Sequence, residues 1–433
     1  MGKIRRLERP TAWPDWFEPK RYPHFDEPIR DPEQVRWLVE SPDDCAERAF
    51  LPFIRFEKIA RKYKRSQGCF VKKPRDLKYA SHTDSQILRH YANLLSLQYE
   101  KAISAAGIAD AVLAYRRMMP PKCNIYFAND AFHWIEIHAP CVALTFDVQD
   151  FFENFDHQML KKQWKAVLGV NELPTDHYNI FKAITQYSWV DRDKLFEAFG
   201  ITKKMQKEWN KPICTPEQFR TMIRGGGLIQ TRKDRRGVPQ GSPISALLSN
   251  LYMLPVDRHM TTLAKGLDAL YLRYSDDILI VCKAEHREQM EQALGESMNG
   301  VKLGLHTEPG KRSVCAVTIN GDKTLKCQPP LQYLGFSFDG RSVRIRSQTM
   351  ARFLRRMRRA VRTEKYLAIE RSNDSGKVVV RRKRLYSRFS HLGKNNFITG
   401  YAEKARLVFE HNAIRAQLKH HWRDLHALLV LED

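Results

Sequence analysis

Three aspartates stand where carboxylates can do chemistry. Asp147 closes the apolar run CVALTF (141–146), and 129 positions later the pair Asp276-Asp277 interrupts YLRYSDDILIV (271–281). Each therefore lies at the end of an apolar half-strand. If those strands are neighbours in one sheet, the carboxylates meet at one edge. Clustered carboxylates repel strongly unless a divalent cation lies between them. Mg²⁺ suits such a set, because it takes carboxylate oxygens and keeps positions open for substrate phosphate. Two such ions about 4 Å apart can activate a 3′-hydroxyl and stabilise a departing pyrophosphate. An aspartate pair in a turn is by itself ordinary turn chemistry, so the reading depends on what lies between and after these acids.

The elements that must position them are legible as patterns. CVALTF predicts a buried strand, and YLRYSDDILIV predicts a hairpin that turns at Ser275-Asp276. GVPQGSPISALLSNLYMLPVDRHM (237–260) opens as a Gly/Pro turn and predicts a helix with Ser242 as N-cap and Pro243 at its first position. Phe151 to Leu168 predicts a helix, and so does Asp84 to Gly107, where Ile87, Leu88, Tyr91, Leu94, Leu95 and Leu97 keep helical spacing. Further hairpins are expected at Asn320-Gly321 and Asp339-Gly340. Residues 1–50 read as an irregular arm with one helix around Pro32–Glu40; the segment 170–230 is mixed, with a loop at its GGG (225–227).

The 433 residues are 43% hydrophobic and 11% aromatic, which excludes a disordered chain. Lys and Arg number 73 against 49 Asp and Glu, a net charge of +24. A polyphosphate partner explains that surplus, since each neutralised phosphate releases a counterion. The charge is concentrated. Arg55 to Lys78 holds ten basic residues against two acids, and residues 341–433 hold 23 against eight, a net +15. The eight cysteines form no C-x-x-C pair, so neither a zinc ribbon nor a disulfide framework is expected, and a reducing cytoplasm is the default. The opening MGKIRRLERPTAWPDW has no apolar core of a signal peptide, and no run of about 18 apolar residues suggests a membrane span.

Taken together, FDVQDFFENFDH (146–157), GVPQGSPISALLSN (237–250), YSDD (274–277) and LQYLGF (331–336) resemble the successive palm motifs of reverse transcriptases, in the family's order. LGLHTEPGK (303–311) is similar to the motif whose lysine lies near the leaving phosphate. KKPRDLKYASHTDSQI (72–87) and AYRR (114–117) look like the fingers of group II intron and related bacterial enzymes. The resemblance spans roughly residues 70–340. It implies an α+β right-hand polymerase: an N-terminal arm (1–54), fingers and palm (55–340) with an antiparallel sheet and packed helices, and a basic helical thumb (341–433). Two Mg²⁺ ions are then held by Asp147, Asp276, Asp277 and the Val148 carbonyl. Lys311 becomes the candidate general acid for pyrophosphate. Phe152 takes the place of the aromatic gate against a ribose 2′-hydroxyl, with Phe151 turned to the core. Gln240 and Gly241 flank the nascent base pair, and Arg75 and Arg116 hold the triphosphate, a task that suits the guanidinium fork. Lys72, Lys73, Tyr333, Gly335, Arg355, Arg356, Arg359, Arg381, Arg382 and Arg384 are expected nucleic-acid contacts. Ser275 departs from the commoner Ala, Met or Val, and part of 158–236 reads as an insertion without a place in the pattern.

After residue 341 neither an acidic tetrad of ribonuclease H type nor a Cys/His-rich endonuclease pattern is present. That profile is similar to stand-alone, defence-associated bacterial reverse transcriptases of the abortive-infection and "unknown group" kinds, and resembles the retron and group II intron superfamily more broadly. The partners it implies are dNTPs, an RNA template, expected to be a cognate non-coding RNA, and the cDNA product. Two alternatives stay open: an RNA-dependent RNA polymerase or template-independent polymerase of the same palm, and a maturase-like RNA-binding protein with an idle site. Oligomeric state is not legible.

Overall fold

The computed structural model describes residues 13–64, 68–202, 205–207, 209–308, 310–372 and 379–430. Most of the opening stretch read for a signal peptide, residues 1–12, lies outside the described residues, as does the side chain of Lys73. The architecture is α+β, with antiparallel pairing throughout except for one parallel contact. No helix among the described residues is long and apolar enough to cross a membrane.

The chain divides into two compact units, and each is built from separated stretches of sequence. The first comprises residues 1–117, 148–261 and 293–305; the second comprises 118–147, 262–292 and 306–433. Each unit draws its strands from distant parts of the chain.

In the first unit, β1 (Phe53–Lys64) and β2 (Cys69–Tyr79) form a long antiparallel hairpin that carries the basic stretch. β1 also pairs in parallel with β4 (Ser188–Asp191), which pairs with β5 (Ile229–Thr231), so the sheet runs β2-β1-β4-β5. Beneath it Ile54, Val190, Leu195, Phe196, Ile201 and Ile223 form a buried cluster. The segment that read as an unplaced insertion thus completes this sheet and its core. Arg55 ties three strands together through Asp76 (2.8 Å) and Asp191 (3.1 Å). The expected helix at 84–107 spans His82–Ala105, capped by Ser81. The expected helix at 151–168 is broken in two: a 3₁₀ turn (Phe151–Glu153), then a helix (His157–Leu168) that starts anew because Asp156 accepts from the Gln158 and Met159 amides. Ser242 is not a side-chain cap. The helix runs Ser245–Gly266, and Ser242 Oγ is buried without a hydrogen-bond partner, while Ser245 Oγ donates to the Pro239 carbonyl (2.7 Å).

In the second unit a five-stranded antiparallel sheet runs β6-β7-β3-β8-β9. Its strands are β3 (Cys141–Asp147), β6 (Leu270–Tyr274), β7 (Asp277–Cys282), β8 (Ser313–Ile319) and β9 (Leu325–Gln328). A smaller sheet joins β10 (Leu331–Tyr333), β11 (Phe336–Phe338) and β12 (Val343–Ile345). The hairpins expected at Asn320-Gly321 and Asp339-Gly340 are present, between β8 and β9 and between β11 and β12. From Ser347 the described chain is helical. Phe353, Met357 and Val361 of the helix Ser347–Ser372 form an apolar stripe and pack on Leu385, Phe389, Leu425 and Leu429. Burying such side chains contributes roughly 1.5–3 kcal/mol each.

Candidate active site

The acids of the second unit are positioned by strand register. β3 and β7 pair so that Asp147 lies directly opposite Asp277, and β6 and β7 close at Tyr274↔Asp277. The turn between them is Ser275-Asp276 alone. A two-residue hairpin needs left-handed backbone in the turn, and Ser275 supplies it with φ 61°. A small residue suits that conformation better than a β-branched one. Fully buried Arg273 donates from Nη1 to the Ser275 carbonyl (3.2 Å) and braces the turn.

The register of β3 and β7 brings Asp147 and Asp277 to the same end of the sheet. Burial, joined by the neighbouring charge of Asp276, pushes the Asp277 carboxyl up to about 6, with Arg346 opposing. Asp277 is nevertheless open to solvent on one side, so the shift reflects protein packed around its base and not full enclosure. Lys311 forms an ion pair with Asp147. It arrives there because β8 pairs with β3 from Thr145↔Ser313 onward and the preceding turn returns the Lys311 amide to the Glu308 carbonyl (3.0 Å). A cation therefore already sits against this edge. Among the described residues no three His, Cys, Asp or Glu side chains form a ready metal cage. The donors nevertheless suit a hard divalent ion, which is completed by substrate oxygens more often than by protein alone.

β10 and β11 turn at Leu334 (φ 44°) and Gly335 (φ 94°), two successive left-handed residues. This turn is held from three sides. Asn124 Nδ2 donates to the Leu334 carbonyl (2.8 Å), the Arg346 amide donates to the Gly335 carbonyl (3.0 Å), and the Tyr401 hydroxyl is 3.5 Å from where a Gly335 Cβ would stand. Tyr333 was expected to touch nucleic acid. Its side chain is instead only 3% exposed, and burial together with the charge of Asp277 pushes its phenol up. On this hairpin Gln332 is exposed, and the turn residues Leu334 and Gly335 are half-buried.

In the first unit a second group of expected residues comes together. Phe152 is half-buried against Phe151 (ring centroids 5.4 Å) and Phe155 (5.8 Å), whereas Phe151 lies in the core as expected. Its carbonyl accepts from the Val238 amide (2.8 Å), and the Phe155 carbonyl accepts from the Gly237 amide (2.7 Å). The Gln240 carbonyl then accepts from the Lys78 amide of β2 (2.8 Å). Gly241 has φ 104°, and a Cβ there would be 2.7 Å from the Lys78 carbonyl, so glycine is required by both conformation and space. The Phe152 turn and β2 also share an electrostatic neighbourhood: Glu153 is raised by burial, Asp150 and Asp76. Arg75 and Lys72 are exposed on β2. Val148 forms an isolated bridge with Leu305 through flanking amides, which leaves its own carbonyl outside that bridge.

Arg116 has a different position from the one its motif implies. Its guanidinium is 7% exposed, donates to both Glu100 oxygens (Nη2–Oε2 2.7 Å) and reaches the Val112 (2.9 Å) and Ala109 carbonyls. Its donors are spent on closing the end of the helix His82–Ala105, so it is structural. The roles of Arg346 and Asn124 were missed, because both are contacts to main-chain carbonyls of the Leu334-Gly335 turn, and Asn124 reaches it across 210 positions of sequence. The basic contacts expected in the C-terminal region are on the surface: Arg355, Arg356, Arg359, Arg381, Arg382 and Arg384 are all exposed. Arg356, Arg359 and Arg384 line one cavity of about 310 Å³.

The family model described as reverse transcriptase (RNA-dependent DNA polymerase) matches residues 117–338, more than half of the chain. The chain belongs to the reverse transcriptase family. Within this reverse transcriptase, 53 residues are 40% identical to the Retron Mx162 reverse transcriptase of Myxococcus xanthus. That stretch is 12% of this chain and 11% of the relative, so the match spans about a tenth of the relative's length. Similar solved structures include telomerase from Candida albicans in complex with the TWJ fragment of telomeric RNA. It has 12% identity, a TM-score of 0.40, and coverage of 93% of this chain and 70% of that one. Apo telomerase from Candida tropicalis is similar at 11% identity and TM-score 0.41, over 92% and 64% of the respective chains.

Proposed function

We propose that the protein is an RNA-directed DNA polymerase that extends a 3′-hydroxyl with dNTPs. The observation that carries this reading is the cross-strand pairing of Asp147 with Asp277, with Asp276 at the adjoining hairpin turn. Asp147, Asp276, Asp277 and the Val148 carbonyl would hold two Mg²⁺ ions, which when bound supply positive charge at the attacking oxygen and the leaving pyrophosphate. The protein's own groups do the rest. Lys311 pairs with Asp147; exchanged from Asp147 to the leaving phosphate, its ammonium would give a proton to pyrophosphate. Phe152 closes the space a 2′-hydroxyl would need. Gln240 and Gly241, fixed to β2 through Lys78, support the incoming pair, and Arg75, with Lys72 exposed on the same strand, offers charge to phosphates. Arg116 has no part in this, since its donors are engaged.

The exposed arginines of the C-terminal helices suit a duplex backbone, and the turn at Gly335 suits the primer strand. The basic hairpin β1–β2 and the basic C-terminal region offer two surfaces for a folded RNA, which works through phosphate and 2′-hydroxyl contacts. We therefore favour one dedicated non-coding RNA as template, copied in the cytoplasm as part of antiviral defence. Primer extension on an RNA template with dNTPs and then NTPs tests the polymerase reading, and no extension with dNTPs sinks it. Sequencing the RNA and DNA that copurify tests the template; a heterogeneous RNA pool defeats the dedicated-RNA reading.

A further inference from the structure

The C-terminal part of the second unit holds a cavity of about 630 Å³ that the polymerase reading does not use. It lies among the π-helical turn Phe397–Ala402, the helices Glu403–Phe409 and Ala413–Gln417, and the start of His421–Leu429. Ile398, Ile414 and Leu418 give it apolar walls. Arg406 on its edge is matched by Glu403, with contacts of 2.7–3.1 Å, so that pair is close to neutral. The surplus charge comes from Arg415 and Lys419, both exposed at the rim.

His391 and His421 also line the cavity, with Nδ1 and Nε2 3.4 Å apart. Beside His391 lies a compact ring cluster, in which Tyr386 is also 5.0 Å from Trp422. Trp422 is 5.0 Å from His391, His426 is 4.2 Å from Trp422, and Tyr386 stacks on His426 at 5.5 Å and 13°. Tyr386 belongs to the helix Arg382–Phe389, which carries Arg382 and Arg384 on its surface. An apolar slot with two histidines in its lining and cations at the rim has the chemistry of a single-stranded nucleic-acid site, where a base is taken out of water and phosphates meet charge. The volume is that of a small-molecule site, enough for one nucleotide. A duplex gains nothing from the apolar walls, because its bases remain stacked inside.

We propose that this cavity takes an unpaired RNA nucleotide, its base between Ile398, Ile414 and Leu418 and its phosphates on Arg415 and Lys419. The inference rests on RNA being the partner proposed above, yet it assigns a site separate from the aspartates and from the duplex-facing arginines.

The test uses the full chain with Arg415→Gln/Lys419→Gln and, separately, His391→Ala, all at exposed positions. Fluorescence anisotropy measures affinity for a short single-stranded RNA, the same sequence as DNA, and a primer–template duplex. The expected result is a loss of about tenfold for single-stranded RNA, with duplex affinity and primer extension unchanged. Equal losses on RNA and duplex, no loss on RNA, or a larger loss on single-stranded DNA would each overturn the proposal. Loss of ATP binding with RNA affinity retained would also overturn it, in favour of a mononucleotide site. A wild-type protein that extends no primer, while the variants selectively lose RNA, would defeat the polymerase reading and support the cavity.

Discussion

The five-stranded sheet of the second unit and the four-stranded sheet of the first are held together differently. In β3 and β7 nearly every residue before or after the aspartates is buried, so the strands are fixed by apolar burial and the acids are displayed at their ends. β1 and β2 pair along eleven positions rich in charged residues, and the hairpin is anchored at one end by Arg55, Asp76, Lys78 and Asp191. The first sheet concentrates like charges at a rigid edge; the second matches opposite charges around its base. A site that must bind cations gains from the clustered acids, whereas a surface that must grip a polyanion gains from the basic surplus of the hairpin, ten Lys/Arg against two acids, that remains beyond the matched base.

The sharpest way to break this contrast is to remove the acidic edge. Asp276→Ala with Asp277→Ala should reduce primer extension to background while thermal unfolding in chelator stays at or above the wild-type value. Losing mutually repelling carboxylates does not weaken an apolar sheet. Substantial extension by the double variant would end the assignment of the aspartates.

On the other unit the corresponding probe is Phe152→Ala. The ring is only half-buried, so truncation opens space at modest cost to the core. The preference for a dNTP over its NTP should fall by about 10–100-fold, the scale of one lost steric discrimination. An unchanged ratio would return Phe152 to a packing role.

The difference between the sheets also explains what was legible in sequence. CVALTFD and YLRYSDDILIV are continuous strands with a short turn, so the register that joins Asp147 to Asp277 follows from local pattern once the strands are neighbours. β4 and β5 have four and three residues, and their place beside β1 depends on Ile54, Val190 and Ile223 meeting across long sequence distances. No local period announces that. The same limit hid the engagement of Arg116 by Glu100 and the burial of Tyr333, for a motif specifies a residue type and not the partners its side chain finds.

A smaller effect is expected from the basic surface. Replacing Arg355, Arg356 and Arg359 by Gln should weaken duplex binding and flatten its salt dependence. If each contacts one phosphate, the log–log slope becomes shallower by about 2.7. An unaltered slope would make these arginines a solvated helix face, leaving only their apolar neighbours Phe353, Met357 and Val361 with a function in packing.

The finest test concerns the strain at the acidic edge itself. The Asp277 carboxyl is raised to about 6 by burial and by Asp276. In the unfolded chain an aspartate titrates near about 3.9. Between those values the folded protein binds more protons than the unfolded one, so stability falls as pH rises through this window. Above about 6 the charged carboxylate destabilises the metal-free fold; below about 4 both states are protonated and the penalty is gone. Asp277→Asn removes the charge and keeps the shape. In chelator the variant should therefore unfold at a higher temperature than wild type near about pH 8 and at the same temperature near about pH 4. Because the carboxylate is partly open to solvent, the gain should be small, on the order of 1 °C. Adding Mg²⁺ should reverse the order at the higher pH by stabilising the wild type alone. A variant no more stable at high pH in chelator would mean that the acids at the end of this sheet are as well solvated as those around Arg55, and the proposed electrostatic difference between the two sheets would disappear.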